Sequence, residues 1–245
     1  MGLLLRLFGA IAAGAVLVVS VGVLHYGLGQ GALGLVHEPE ESFLPHRWPA
    51  IPDNRPARVL LLGTSLTRSG DWTQALQAQL SACRPGGVEI ERLAKGGANS
   101  AWGEAALRDR LTKAALPDLI VAEFTINDAS LVHGMTLGKS RARHAAILDM
   151  AAAANIPVWL ATMNPAFGRK ALERPGQAAY RAQYPNLARA HGAGLVALVP
   201  DWLALDASYR AAALPDGLHP TDAAMMAVTV PVLAAALAVV LCPEG

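Results

Sequence analysis

Five short apolar runs narrow the fold of this chain more than any other feature: Arg58–Gly63, Val88–Leu93, Asp118–Phe124, Ile156–Met163 and Gly194–Val199. They are too short for ordinary helices, rich in Val, Leu and Ile, and nearly continuous, as strands covered on both faces are. The segments between them carry helical spacing. Asp71–Cys83 sets Trp72, Ala75, Leu76 and Leu80 on one face, and Trp102–Ala115 and Gly138–Ala154 read likewise. Strands alternating with helices predict a five-stranded parallel sheet between two helical layers, a three-layer α/β domain with no internal repeat. Ala223–Cys242 holds 20 residues without a charge, long enough to span a bilayer. Pro231 interrupts it, and a span there would draw nearby His219 into the membrane, so it is expected to be the final helix, packed on the sheet.

Ahead of this domain, Leu7–Leu24 gives 18 residues without a charge, with Ser20 the only clearly polar one. As a helix the run measures about 27 Å, close to a bilayer core. Arg6 precedes it and no Lys or Arg follows until Arg47, so the rest of the chain is expected outside the cytoplasm. An uncleaved anchor is favoured over a signal peptide by the length of the run, although Gly27–Gly34 offers small residues for cleavage. Gly29-Gln30-Gly31-Ala32-Leu33-Gly34 matches the dinucleotide-binding pattern, but it follows a predicted span rather than a strand, so that reading is rejected. Residues 35–57 carry Glu38, Glu40, Glu41 and five prolines, the composition of an extended, semi-rigid spacer with no core of its own. The expected organisation is therefore an anchor over 1–27, a linker over 28–56 and a domain over 57–245.

Composition excludes several functions. A net charge of +1 lacks the basic excess of a nucleic-acid-binding protein, and 53% hydrophobic against 16% charged residues excludes a disordered chain. Two cysteines, Cys83 and Cys242, are too few for a disulfide scaffold or a zinc module. At 5% aromatic residues, stacking platforms are scarce.

In open α/β sheets ligands bind at the carboxyl ends of the strands. Those ends supply Gly63-Thr64-Ser65-Leu66-Thr67, Lys95-Gly96-Gly97-Ala98-Asn99-Ser100 and Thr125-Ile126-Asn127-Asp128; Asp216-Gly217-Leu218-His219-Pro220 precedes the last helix. This inventory suits acyl transfer through a serine nucleophile. Ser65 needs a base, for which His219 is the candidate. Asp216, three residues earlier, is placed to hold the imidazole N–H and fix its tautomer. The Ser65 and Gly97 backbone N–H groups and the Asn127 amide could receive the oxyanion. Singly, such a serine is usually a helix cap, Gly96-Gly97 and Asn127-Asp128 are usually turns or caps, and Asp-Gly-Leu-His-Pro could equally be a loop with a capping Asp. Their occurrence together, in order and each at a strand end, is what points to a site.

These four blocks resemble those of the SGNH (GDSL) hydrolases, a family of esterases, thioesterases and carbohydrate deacetylases, and the resemblance spans Val59–Pro220. It implies a flavodoxin-like three-layer fold, Ser65 as nucleophile, Gly97 and Asn127 as oxyanion-hole donors, Asp216 and His219 as the remaining triad members, and no metal or organic cofactor. Asp-Gly-Leu-His-Pro is its most specific piece. Two positions depart from the family pattern. Thr64 stands where block one usually has Asp, so the hydrogen bonds made there must change, and Thr125 stands where block three usually has Gly. An α/β-hydrolase elbow fits less well, because Gly63-x-Ser65-x-Thr67 lacks its second Gly. The expected activity is a membrane-anchored, extracytoplasmic ester hydrolase acting on an O-acyl group of a glycan or lipid. An acyltransferase using the same acyl-enzyme and a non-catalytic glycan- or partner-binding relative are the alternatives.

His25, His37, His46, His133, His144 and His191 show no metal-ligand spacing. Lys139, Arg141 and Arg143, with Arg169, Lys170 and Arg174, form two basic clusters near strand ends: either solvated faces or contacts for an anionic substrate or phospholipid headgroups. Cys83 and Cys242 close the first and last helices. In a flavodoxin-like sheet these helices share a face and end on one side, so both a disulfide formed on export and two free thiols stay open.

Overall fold

A computed structural model describes residues 36–113 and 115–242. The Leu7–Leu24 run and the glycine pattern after it lie outside the described residues. Strands β1 (Ala57–Gly63), β2 (Val88–Ala94), β3 (Leu119–Ala122), β4 (Val158–Ala161) and β5 (Gly194–Val196) form one sheet in the order β2-β1-β3-β4-β5. All pairings are parallel. The connections reverse direction between β1 and β3, the switch point where such sheets open a crevice at their carboxyl edge.

Alternation along each strand decides which layer a residue joins. Val59, Leu61, Val121, Trp159 and Val196 face helix α1 (Trp72–Cys83) and the final helix. Leu60, Leu62, Ile120, Leu160 and Leu195 face α2 (Ser100–Arg110) and α3 (Leu137–Ala153). Both faces are covered, and this is why the strands read as continuous apolar runs.

β5 is shorter than its apolar run, because a side chain takes over from the ladder at its carboxyl edge. Thr162 Oγ1 accepts the N–H of Leu198 (2.9 Å) and of Val199 (3.3 Å), turning the chain out of β5 into a helix over Val199–Ala204. Helix α2 starts at Ser100 and ends at Arg110, not over Trp102–Ala115, since Asn99 caps its start by accepting the Trp102 N–H. Between β4 and β5 the chain forms α4 (Gly168–Leu172), α5 (Gln177–Ala182) and α6 (Tyr184–Ala190). Pro175, Gly176 and Pro185 break this stretch into pieces too short to show a period.

The proline-rich segment is extended, but it is laid against the domain. Phe43 pairs antiparallel with Leu195, and the Ala197 N–H donates to Ser42 Oγ at 3.0 Å. Near the carboxyl end of β5 the Arg181 guanidinium binds the Glu38 carboxylate, while His46 N–H meets the Gly192 carbonyl at the other end. The segment thus covers the edge of β5, which would otherwise present unpaired backbone.

The last segment is a continuous helical stretch: Asp222–Ala224, a π turn over Met225–Thr229, then α7 (Val230–Leu241). Its length and hydropathy would suffice for a membrane span, yet half of that window is buried in the domain, where Leu233, Leu237 and Leu241 join the core beside α1. Buried Arg84 stitches three segments, donating to the carbonyls of Leu241, Ile51 and Pro52.

Cys83 and Cys242 form a disulfide, their Cα atoms 5.3 Å apart across 159 residues of sequence. Closing so long a loop restricts the unfolded chain, which typically stabilises a fold by about 2–4 kcal/mol. Cys83→Ser, or reduction, is expected to lower the urea midpoint accordingly; an unchanged midpoint would show that the bond contributes nothing.

Candidate active site

The carboxyl end of β1 runs into a tight turn, Ser65–Arg68, capped by Thr64. Gly63 leaves room for the Glu123 carboxylate, since a Cβ there would lie 2.2 Å from Glu123 Oε1. The Glu123 carboxylate, at the end of β3, gathers the turn: it accepts Thr64 N–H at 2.5 Å, Thr64 Oγ1 at 2.9 Å and Thr67 Oγ1 at 2.7 Å. Burial pushes Glu123 up to about 7, against the pull of these hydrogen bonds. The altered bonding expected of Thr64 takes this form: its hydroxyl donates to Glu123 and accepts the Leu66 N–H. Glu123 belongs to none of the four blocks; its one signal in the sequence is a lone acid within an apolar run, which must serve neighbouring donors once buried.

Ser65 Oγ lies 2.9 Å from His219 Nε2, and His219 Nδ1 lies 2.7 Å from Asp216 Oδ2. Asp216 Oδ1 accepts the N–H groups of Leu218 (2.8 Å) and His219 (2.7 Å), so one carboxylate shapes the loop and orients the ring. Partial burial raises Asp216, but the hydrogen bonds from His219 and Leu218 outweigh it and hold the group at about 2. An ionised Asp216 keeps the proton of neutral His219 on Nδ1 and turns the Nε2 lone pair toward the serine hydroxyl. Gly217 has φ +82°, and a Cβ on it would meet the Phe167 carbonyl at 2.6 Å. Buried Asn164 donates to the Leu218 carbonyl at 2.8 Å, holding the loop from the end of β4. Only tertiary contact reveals Asn164; Asn-Pro after a strand is a common turn signal.

Blocks two and three are tied to each other. Asn127 is buried and donates one amide hydrogen to the Ala98 carbonyl at 2.9 Å. Gly97, its neighbour in sequence, adopts φ +73° under the ring of His133. Lys95 N–H donates to the Gly63 carbonyl, joining block two to block one. Among the described residues, the N–H groups of Ser65 and Gly97 have no acceptor. Buried Asp128 accepts from Ser100 N–H (2.8 Å), Ser100 Oγ (2.6 Å) and Ser140 Oγ (2.6 Å), fastening the block-three turn to α2 and α3. His144 also buttresses this turn: it donates to the Ser140 carbonyl and accepts from Tyr184 Oη, which in turn accepts the Phe124 N–H. Burial lowers its pKa, against the Asp128 charge, so it is neutral.

The profile of the GDSL-like Lipase/Acylhydrolase family matches residues 46–227. The chain belongs to this family. As a member it is a hydrolase acting on ester bonds. No curated sequence matches it significantly. Solved structures share its fold. A lipase/acylhydrolase from Enterococcus faecalis is 20% identical with a TM-score of 0.64, covering 77% of this chain and 99% of its own. An acetylxylan esterase from Geobacillus stearothermophilus is 17% identical with a TM-score of 0.59, covering 79% and 98%. A psychrotrophic esterase from Pseudoalteromonas is 17% identical with a TM-score of 0.56, covering 74% and 96%.

A shallow cleft of about 200 Å³ lies beside Ser65 and His219, walled by Leu66, Pro220 and Met225. A larger cavity of about 540 Å³, under Trp48 and Asn155, sits at the opposite edge of the sheet, near the start of β4. It lacks a nucleophile paired with a base, so chemistry rather than size marks the site. Of the basic clusters, Arg143 pairs with Glu104, and Lys170 and Arg174 pair with Glu173. Lys139, Arg141 and Arg169 have no acidic partner among the described residues.

Proposed function

We propose that this family member is a membrane-anchored, extracytoplasmic serine esterase that removes an O-acyl group from a glycan or lipid. The observation that carries the catalytic reading is the hydrogen-bonded series Ser65 Oγ–His219 Nε2–Asp216, at 2.9 and 2.7 Å. His219 takes the serine proton as Ser65 Oγ attacks the ester carbonyl, and Asp216 stabilises the imidazolium formed. The N–H groups of Ser65 and Gly97 and the free amide hydrogen of Asn127 receive the oxyanion. Each such donor typically lowers the barrier by about 2.7–4 kcal/mol. Collapse of the intermediate expels the alcohol, protonated by His219, and leaves an acyl-serine. Water, deprotonated by the same histidine, then releases the acid and restores the serine.

The export reading draws on the uncharged Leu7–Leu24 run with Arg6 before it, and on the Cys83–Cys242 disulfide, a bond at home in oxidising compartments. The Glu123 contacts to Thr64 favour an enzyme over a non-catalytic binder, because they hold the altered block-one turn with its serine in reach of the base. The test is a fluorophosphonate probe followed by peptide mass spectrometry. The adduct is expected on the peptide holding Ser65, and a folded protein that takes up no probe would sink the reading. Product analysis with and without a sugar acceptor separates hydrolysis from transfer.

A further inference from the structure

We propose that the carboxyl edge of the sheet docks onto an anionic lipid bilayer through an aliphatic lip formed by Leu131, Val132 and Leu172, with Lys139 and Arg169 meeting the headgroups. The inference rests on the membrane-anchored esterase reading and names the surface on which that site would work.

Large apolar side chains that stand in water carry information when they cluster beside a site. Leu172 is 78% exposed and Val132 75%, the two highest values among the exposed large hydrophobics of the described residues, and Leu131 is 52% exposed. They stand on two segments that meet: the Leu131 N–H donates to the Glu173 carbonyl at 2.9 Å, one residue beyond Leu172. The same segments flank the catalytic loops. His133, next to Val132, lies over Gly97, and α4 reaches the Asp216–Gly217 turn through Lys170. Arg169 on α4 and Lys139 at the start of α3 are exposed cations without acidic partners among the described residues. Beside an anionic bilayer, each such cation favours the bound state roughly five-fold.

Chain direction points the same way. The segment from residue 36 runs antiparallel to β5, beginning with Glu38 on Arg181 at the carboxyl edge and reaching Gly192 at the amino edge by His46. Residue 36, where the described chain begins, therefore lies toward the side that carries Ser65. The uncharged run ends at Leu24, a dozen residues earlier, which span about 40 Å at full extension. A tether of that length on that side suits a catalytic edge turned toward the lipid.

The test reconstitutes the full chain in vesicles of phosphatidylcholine and phosphatidylglycerol containing brominated acyl chains. Val132→Trp is expected to add fluorescence that the bromines quench, while Leu116→Trp, at the opposite edge of the sheet, adds fluorescence that they do not. Equal quenching of both, or of neither, would overturn the proposal, the latter being the result for a lip that meets a glycan or a protein instead. Leu131→Ser/Val132→Ser/Leu172→Ser is expected to lower turnover of a vesicle-embedded long-chain ester roughly ten-fold or more, leaving a water-soluble aryl acetate unaffected. Equal loss on both substrates, or on neither, would also overturn it. Quenching of the Val132→Trp protein together with wild-type protein that turns over neither ester would refute the esterase reading while the docking stands.

Discussion

Ser65→Ala is expected to abolish fluorophosphonate labelling and to reduce turnover of a short-chain aryl ester by about 10⁶-fold, or to background if the starting rate is low. The effect is large because the alternative is direct attack by water, which recovers none of the positioning that Ser65 gains from its 2.9 Å contact with His219. His219→Ala should cost about as much, since a serine without its base is a poor nucleophile, and the double variant should be little worse than either alone. Asp216→Asn should cost roughly 10⁴-fold, through the wrong imidazole tautomer, while Oδ1 continues to accept the Leu218 and His219 N–H groups. Persistent labelling of the Ser65→Ala protein would place the nucleophile elsewhere. Multiplicative losses in the double variant would show that the two residues do not act as a unit.

The second large effect is on stability, and it comes from Glu123. Its carboxyl is raised from an ordinary 4.5 to about 7 by burial, so the folded state holds a proton that the unfolded chain releases. Between those two pH values the folded protein binds more protons than the unfolded one, and stability attributable to this group falls as pH rises. The loss is complete above about 7 and amounts to about 3 kcal/mol. His144 acts in the opposite sense: buried and neutral, it costs stability as pH falls below the ordinary histidine range. The two are separated by difference. Glu123→Gln keeps a carbonyl oxygen for the Thr64 N–H and removes the titration. Relative to wild type, it should therefore gain about 3 kcal/mol between pH 4.5 and pH 7.5 in urea unfolding. A difference that does not change with pH would show that Glu123 is ionised throughout.

The positions of Ser65, Asp216 and His219 were legible because each follows from local pattern. A strand buried on both faces announces itself as an apolar run, its end marks the carboxyl edge, and Asp216 reaches His219 within a single turn. Gly97 and Asn127 follow from the same pattern, and their loops meet through the Asn127–Ala98 hydrogen bond. The helices between β4 and β5 were not legible, since Pro175, Gly176 and Pro185 leave pieces of five to seven residues, too short for a helical period to emerge.

By itself, then, the sequence determined the alternation of strands and helices, the parallel sheet, and which polar residues stand where strands end, because these depend on periodicities and spacings within about 20 residues. Tertiary structure alone decided the rest. Glu123 beneath the nucleophile turn lies 59 residues from Thr64, and Asn164 lies 54 from the Leu218 carbonyl that it holds. Cys83 joins Cys242 across 159 residues, and the proline-rich segment, whose composition suits an extended, semi-rigid spacer, closes the edge of β5. Such contacts form because a donor, an acceptor or a thiol must find its partner in space once the layers have packed, and spacing along the chain carries no record of that distance.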